Sequence, residues 1–511
     1  MLTKILLTIY RILFIVILSL SSTVNAENLA ELKAKLDNLK ITTDELVKIQ
    51  ENCHSNDGSA CFALGTMYQY SNAQDLSKAA SFYQKGCDLD FGVACFVLGA
   101  MYRNGNGVVQ DLFKAASLYQ KGCDLDDGIS CRSLGIMYET KDLFTAANLY
   151  QKGCDLDDGN ACARLALIYK STHQNYDTAV NLYQRACNLN FGLGCSALAA
   201  MYYNGEGVSK NSKIAVRFYK QACDLNEGLS CGALASLYLS GDGVDDIDIK
   251  KSMDLRIKSC ELDVGVSCGT LATMYYTGNV VARNLKLAAD YYHKACELNE
   301  GPGCFGLAFM YENGDGVIRD INTAFSLYSK ACDLNVGKSC TRLAYEYFTT
   351  NNTNKDQQKK SAQLFQKSCI LQDSLGCGFL GLMYYHGEGV IQDLKVSARL
   401  LKNSCELDEG SVKGMTCYLT GLIYETGVGI AFDLKTAKQM YQKSCDLNNE
   451  QGCSRLHFIA KLDKNNVNDA KDELTKYKSR IAQLETELEK VRTFMLNINQ
   501  NQDIFNLNLE I

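Results

Sequence analysis

Residues 95–131 read CFVLGAMYRNGNGVVQDLFKAASLYQKGCDLDDGISC, and this stretch decides the fold. Leu98, Met101 and Tyr102 follow Cys95 at i, i+3, i+4 spacing, one face of a helix. Gly99 between them is small enough to let a neighbouring helix approach closely. Asn104-Gly-Asn-Gly107-Val is a turn. Asp111 then precedes a second amphipathic stripe, Leu112, Ala115, Ala116 and Tyr119, which ends at Lys121-Gly122-Cys123. The loop from Asp124 to Gly128 leads to Cys131 and the next copy. Two antiparallel helices of this size cannot bury all their apolar faces alone, whereas stacked copies can.

The copies run through most of the chain. Its 24 cysteines fall in twelve pairs. In chain order these are Cys53 with Cys61, Cys87 with Cys95, Cys123 with Cys131, Cys154 with Cys162, Cys187 with Cys195 and Cys223 with Cys231. Then follow Cys260 with Cys268, Cys296 with Cys304, Cys332 with Cys340, Cys369 with Cys377, Cys405 with Cys417 and Cys445 with Cys453. All but Cys405 with Cys417, which carries a short insertion, have the spacing Cys-x7-Cys. The mean period is about 36 residues, within the solenoid range. The expected fold is therefore all-α: an αα-hairpin solenoid with eleven full units between Cys61 and Cys445. Each cysteine pair brackets the return loop from a second helix to the next first helix. So short a loop brings its ends within disulfide range. Closing nine residues stabilises by roughly 2.6 kcal/mol on the chain-entropy model. A zinc cluster calls for about four closely spaced ligands and a redox motif for Cys-x-x-Cys; neither pattern occurs. No metal and no cofactor are expected.

Composition narrows the function. One Pro in 511 residues argues against a string of separate folds joined by Pro-bearing linkers, and a net charge of −6 against a protein that lives on nucleic-acid phosphates. Residues 1–26 read as an export leader. Lys4 and Arg11 are the basic region, Ile12 to Leu20 the apolar core and Val24-Asn25-Ala26 the cleavage site. An uncleaved anchor from about Ile5 to Leu20 is the alternative, though Arg11 interrupts it and it is shorter than the ~20 residues a bilayer needs. The destination is an oxidising compartment, secreted or periplasmic, where disulfides persist.

The unit Cys-x-x-Leu-Gly-x-Met-Tyr-x-x-Gly-x-Gly-Val-x-x-Asp-x-x-x-Ala-x-x-x-Tyr-x-Lys-x-Cys resembles the Sel1-like, TPR-like repeat. With its paired cysteines the chain resembles the secreted Helicobacter cysteine-rich protein family, over about Cys53 to Cys453. The units from Cys131 and Cys162 depart from the pattern by lacking Gly-x-Gly, and the unit from Cys340 by its polar loop TTNNTNKDQQKK. The resemblance implies a superhelical binding scaffold, and also a penicillin-binding or β-lactamase activity with which members of that family are labelled. The chemistry of that activity is not legible. Neither Ser-x-x-Lys nor Lys-Thr-Gly occurs, and His54, His173, His293, His386 and His457 are too far apart for a zinc motif. No catalytic residue is assigned. The Gly-x-Gly pairs follow helices rather than strands, so they are turns and not dinucleotide loops. Their acidic members, Glu206, Asp242, Asp315 and Glu388, are expected to face solvent.

Stacked hairpins form grooves that bind extended partners. Variation gathers seven to nine residues after each first-helix cysteine, at Arg103, Glu139, Tyr203, Tyr276, Glu312 and Tyr385, with Asn104, Asn204 and Asn313 beside them. Tyrosines among mixed charges suit a recognition surface for a protein, a peptide or peptidoglycan, the alternative being an ordinary solvated face.

The expected organisation is a leader over 1–26, capping helices over 27–52, the solenoid over 53–460 and a coiled coil with its tail over 461–511. Leu29, Leu32, Leu36 and Leu39 form the stripe of the first capping helix, and Thr42-x-x-Glu45 is a capping box before the second. In the last segment Val467, Ala470, Leu474, Tyr477, Ile481, Leu484, Leu488, Val491, Met495 and Ile498 alternate 3-4 spacing. The flanking pairs, Glu473 with Lys478, Arg480 with Glu485 and Glu487 with Arg492, are each of opposite sign. That favours a parallel homo-oligomer, dimer or trimer, over a helix folded back on the solenoid. Light scattering of the chain with and without residues 462–511 checks this. The full chain should have a dimer's or trimer's mass and the truncated chain a monomer's.

Overall fold

The computed structural model describes residues 43–70, 74–172, 174–350, 354–407, 413–427, 429–462 and residue 486. The leader, the first capping helix and the six core positions of the coiled coil, Leu474, Tyr477, Ile481, Leu484, Leu488 and Val491, lie outside them. Among the described residues there are 24 helices, from Thr43–His54 to Glu450–Leu462, and no strand. None is long and apolar enough to cross a membrane. The chain divides into two compact units, Met1–Ser252 and Met253–Ile511. The first holds five hairpins, from Gly58–Tyr70 with Leu76–Asp88 to Gly192–Asn204 with Ser212–Asp224. The second holds five more, from Gly265–Thr277 with Leu285–Glu297 to Lys413–Thr426 with Leu434–Asp446. The division runs through Ile249–Glu261, the helix that follows Gly228–Ser240 in the chain.

The hairpin of residues 92–124 shows why the repeat folds this way. Leu98, Met101, Ala115, Leu118 and Tyr119 are buried in one cluster, as the two stripes require. Leu112 is the exception, 53 % exposed. It is the first residue after the Asp111 cap, and because Cβ atoms lean toward a helix's N-terminus its side chain projects past the end of the helix. The Asp111 carboxylate accepts from the Phe113 and Lys114 amides at 3.0 and 2.9 Å. Asp75, Asp142, Asn175, Asn211, Asn284, Asp320, Asn354, Asp393 and Asp433 cap their own second helices in the same manner. Each such cap contributes on the order of 1 kcal/mol.

Two kinds of turn alternate. From first to second helix a Gly-x-Gly pair makes the reversal in six units, with Gly105 and Gly107 at φ +75° and +71° in the first of them. From second to first helix no described turn has a glycine at the left-handed position. Asp90, Asp126, Asp157, Asn190, Asn226, Asp263, Asn299, Asn335 and Asn448 take it instead, and Gln372 does so in one turn, with φ between 57° and 65°. Asn and Asp tolerate that region better than other side-chain-bearing residues. At the first of these the Asp90 amide donates to the Cys87 carbonyl and the Phe91 amide to the Gly86 carbonyl, the paired bonds of a Schellman ending.

The disulfides close these turns, and the pairing follows the sequence pairs throughout. Cys53 is bonded to Cys61, Cys87 to Cys95, Cys123 to Cys131, Cys154 to Cys162, Cys187 to Cys195 and Cys223 to Cys231. Cys260 is bonded to Cys268, Cys296 to Cys304, Cys332 to Cys340, Cys369 to Cys377 and Cys445 to Cys453. Cys405 reaches Cys417 in the same way, and its longer loop leaves the Cα–Cα distance at 4.7 Å. Across the chain these distances run from 4.5 to 4.9 Å, and no described cysteine is free.

Close approach within a hairpin depends on the residue four after the first-helix cysteine. A Cβ on Gly99 would lie 2.7 Å from the Tyr119 ring, one on Gly135 2.6 Å from Tyr150 and one on Gly421 2.5 Å from Tyr441. These rings are almost wholly buried, and burying a side chain of that size stabilises by about 2 kcal/mol. Gly99→Ala should therefore displace Tyr119 at a cost of about 1–3 kcal/mol. Hydrogen exchange should read this as protection lost by about 5- to 150-fold in residues 92–124, with little change four repeats away.

Candidate functional site

Eight residues after each first-helix cysteine, at the end of that helix, lies the column read above as a recognition surface. The structure places these side chains along the direction in which hairpins stack. In the hairpin of residues 301–333, Tyr328 Oη donates to Glu312 Oε2 at 2.6 Å. Arg342, on the first helix of the next hairpin, donates from Nε to Glu312 Oε1 at 3.0 Å and adds a second contact from its other nitrogen. The arrangement recurs at Tyr441, Glu425 and Arg455, where Oη to Oε2 is 2.7 Å and the guanidinium reaches both carboxylate oxygens at 2.9 and 2.6 Å. It recurs again at Tyr150, Glu139 and Arg164, at 2.5 and 2.8 Å. Each triad ties both helices of one hairpin to the first helix of the next.

Burial grades the three clamps. The Glu425 and Arg455 side chains are 2 % and 13 % exposed, those of Glu312 and Arg342 19 % and 11 %, and those of Glu139 and Arg164 about a third. Burial pushes the Tyr441 and Tyr328 hydroxyls far up, and the carboxylate facing each adds to the shift, so both stay protonated and donate. Burial works against the charge on Arg342 and Arg455, but the bonded glutamates outweigh it and hold both guanidinium groups above their ordinary value.

Other members of the column are also engaged. Tyr276 Oη donates to Asp315 Oδ2 in the Gly-x-Gly loop of the next hairpin at 2.9 Å, and the Phe309 ring meets it edge-on at 6.4 Å. Lys170, in the same column, pairs with the loop residue Glu206 at 2.6 Å. That bond draws the Glu206 carboxyl below the usual range, against some desolvation. So Asp315 and Glu206 do not simply face solvent: each loop folds over the preceding hairpin, where the column residue meets it. Lys210 lies 5.4 Å over the Tyr203 ring, and the Tyr385 ring meets His386 at 5.1 Å. Arg103 is exposed; Glu139, Tyr203, Tyr276, Glu312 and Tyr385 are half-buried.

The clamps had a readable signature that the column alone does not reveal. Glu occurs in it only at Glu139, Glu312 and Glu425, and Arg occurs two residues after a first-helix cysteine only at Arg164, Arg342 and Arg455, each time one repeat later. Pairing the columns of neighbouring repeats finds the triads. No group of His, Cys, Asp and Glu among the described residues is arranged to hold a metal ion.

Concave surface is found in the second unit. A cleft of about 340 Å³ lies between the second helices Lys355–Ile370 and Leu394–Glu406, floored by Leu380 and Tyr384 of the first helix between them. A cleft of about 440 Å³ lies one repeat earlier, over Leu343 and Tyr347. There Lys360 donates to Tyr347 Oη at 2.8 Å and covers its ring at 4.3 Å. In the first unit the first helices leave apolar side chains in solvent: Leu193 is 55 % exposed, Leu229 62 % and Leu167 56 %.

A family model described as Sel1 repeat matches ten stretches: 58–91, 92–127, 128–158, 159–191, 192–227, 269–300, 301–336, 337–373, 374–409 and 415–449. The stretch it passes over holds two helices of the same kind, Gly228–Ser240 and Ile249–Glu261. Among solved structures, a protective antigen of uropathogenic Escherichia coli strains displaying an SLR fold is 22 % identical, with a TM-score of 0.52 over 89 % of this chain and 97 % of that one. A Sel1 repeat protein from Oxalobacter formigenes is 20 % identical over 58 % of this chain and 88 % of its own, with a TM-score of 0.46. The Helicobacter pylori cysteine rich protein B is 35 % identical over 27 % of this chain and 97 % of its own, with a TM-score of 0.22. No curated protein matches the chain.

The graded burial of the clamps sets their expected worth. Glu425→Gln leaves the Arg455 charge buried without its partner and should cost about 3–5 kcal/mol. Glu139→Gln, at a pair about one-third exposed, should cost less than about 1 kcal/mol. Hydrogen exchange of residues 413–462 in the one variant and 128–172 in the other measures the difference.

Proposed function

Because the chain belongs to the Sel1-repeat family, we propose that it is an exported interaction scaffold that binds a protein or peptide partner, or a peptidoglycan strand, with its first-helix face. The observation that carries this is the run of exposed apolar residues there. Leu193 and Leu229 each lie two residues before a first-helix cysteine in consecutive hairpins, and Leu167 lies five residues after one. Positions seven apart share a helix face, so these side chains form a strip rather than scattered exposures. In the same unit Arg103 and Tyr203, which belong to no clamp, add a polar and an aromatic side chain near the ends of their first helices. The twelve disulfides favour an oxidising location, extracellular or periplasmic. The leader of residues 1–26 provides the route out, and self-association through residues 461–511 multiplies the number of binding faces, which raises avidity.

A photo-crosslinker placed at Leu193 in the oxidised chain tests the proposal. It should capture a discrete partner from the envelope fraction, and Leu229→Glu in the same chain should lose that capture. Failure to capture, together with hydrolysis of a chromogenic cephalosporin that a single substitution abolishes, would overturn the scaffold in favour of the β-lactamase activity that the family resemblance implies.

A further inference from the structure

The cleft between Lys355–Ile370 and Leu394–Glu406 joins two features: an apolar hollow and, at its edge, a cation with no ion-pair partner among the described residues. Ile370, Val396 and Leu400 form its apolar walls above Leu380 and Tyr384, and Ile370 is 70 % exposed. In three other hairpins a lysine three residues after the second-helix cap lies over the tyrosine equivalent to Tyr384: Lys78 over Tyr68 at 5.5 Å, Lys114 over Tyr102 at 4.2 Å and Lys251 over Tyr238 at 4.3 Å. Here that position is Val396, so no cation covers the ring and the hollow stays open. Arg399 lines it, is exposed, and makes no ion pair with a described residue. No acidic residue lines the cleft.

The helices on either side extend this charge. Lys355–Ile370 carries Lys355, Lys359, Lys360 and Lys367 against Asp356 alone, and Leu394–Glu406 carries Lys395, Arg399 and Lys402 against Glu406. Lys367 and Lys402 have carboxylate partners at 3.4 and 3.8 Å, whereas Lys355, Lys359 and Lys395 have none among the described residues. The chain as a whole is net −6, so this basic face is local. An uncompensated guanidinium beside an apolar hollow matches a carboxylate next to an aliphatic side chain, since the planar fork of arginine pairs with carboxylate through two bonds. A nucleic-acid strand would meet the charge and leave the hollow unfilled.

We propose that this cleft binds an acidic peptide segment. An aliphatic side chain of the segment fills the hollow walled by Ile370, Val396 and Leu400, and the carboxylate of a neighbouring Glu or Asp pairs with Arg399. The site rests on the scaffold reading and names a ligand class for it, on a face other than the first-helix strip.

Fluorescence anisotropy of the full oxidised chain with a labelled peptide, Gly-Ser-Glu-Leu-Glu-Leu-Glu-Gly-Ser, tests it. Binding should weaken by about tenfold or more in Arg399→Glu and Arg399→Gln. It should also weaken in Ile370→Ser, whose exposed side chain can be shortened without opening the core. A peptide with Ser in place of Leu should bind markedly less well. Equal binding by the Leu and Ser peptides, equal displacement by a short single-stranded DNA, or indifference to both Arg399 variants would each overturn the proposal. Those outcomes leave partner capture at Leu193 untouched, so failure of the cleft is distinguishable from failure of the scaffold.

Discussion

Everything in this molecule depends on the short turn between a second helix and the next first helix. Two helices with narrow apolar stripes gain too little from each other to offset the entropy of ordering them, so each hairpin needs its neighbour. The turn decides how that neighbour is presented. A left-handed Asp or Asn reverses the chain, the Schellman bonds satisfy the helix's last carbonyls, and the disulfide joins the end of one helix to the start of the next. A closed loop this small acts only locally. Reducing one bridge loosens one junction and leaves the others to their own turns and clamps.

Electrostatics adds a second, irregular layer to this regular frame. The disulfides recur at every junction, but the Tyr–Glu–Arg clamps recur at three, and their burial differs widely. A buried ion pair contributes little net stability compared with an apolar contact of the same shape, yet breaking one partner is costly. We take the clamps to favour the correct neighbour: a hairpin with Arg two residues after its cysteine packs well only after one with Glu at the end of its first helix. Tyr276 with Asp315 and Lys170 with Glu206 express the same rule through the loops.

The surface is then whatever the two layers leave over. Column residues used between hairpins are lost to a ligand, which moves attention to side chains that no neighbour claims. Those are the exposed leucines of the first helices in the first unit, and in the second unit a hollow whose guanidinium pairs with no described acid. At the second, Val396 stands where a lysine covers the ring in three other hairpins.

The sequence by itself determined the helices, the number of hairpins, the disulfide partners and the caps, because each is set by residues a few positions apart. Asp111 before its stripe, Gly99 under Tyr119 and cysteines bracketing a short loop carry their geometry with them. Only the tertiary structure decided which side chains remain for binding. Glu312 and Arg103 look alike in the repeat alignment, as charged residues at the end of an amphipathic helix. One is tied to Tyr328 and Arg342 across two hairpins, and the other stands in solvent. That difference comes from residues some thirty positions away on a neighbouring helix, and periodicity within one helix holds no record of them. The openness of the cleft at Arg399 was hidden for the same reason, since its walls come from three helices.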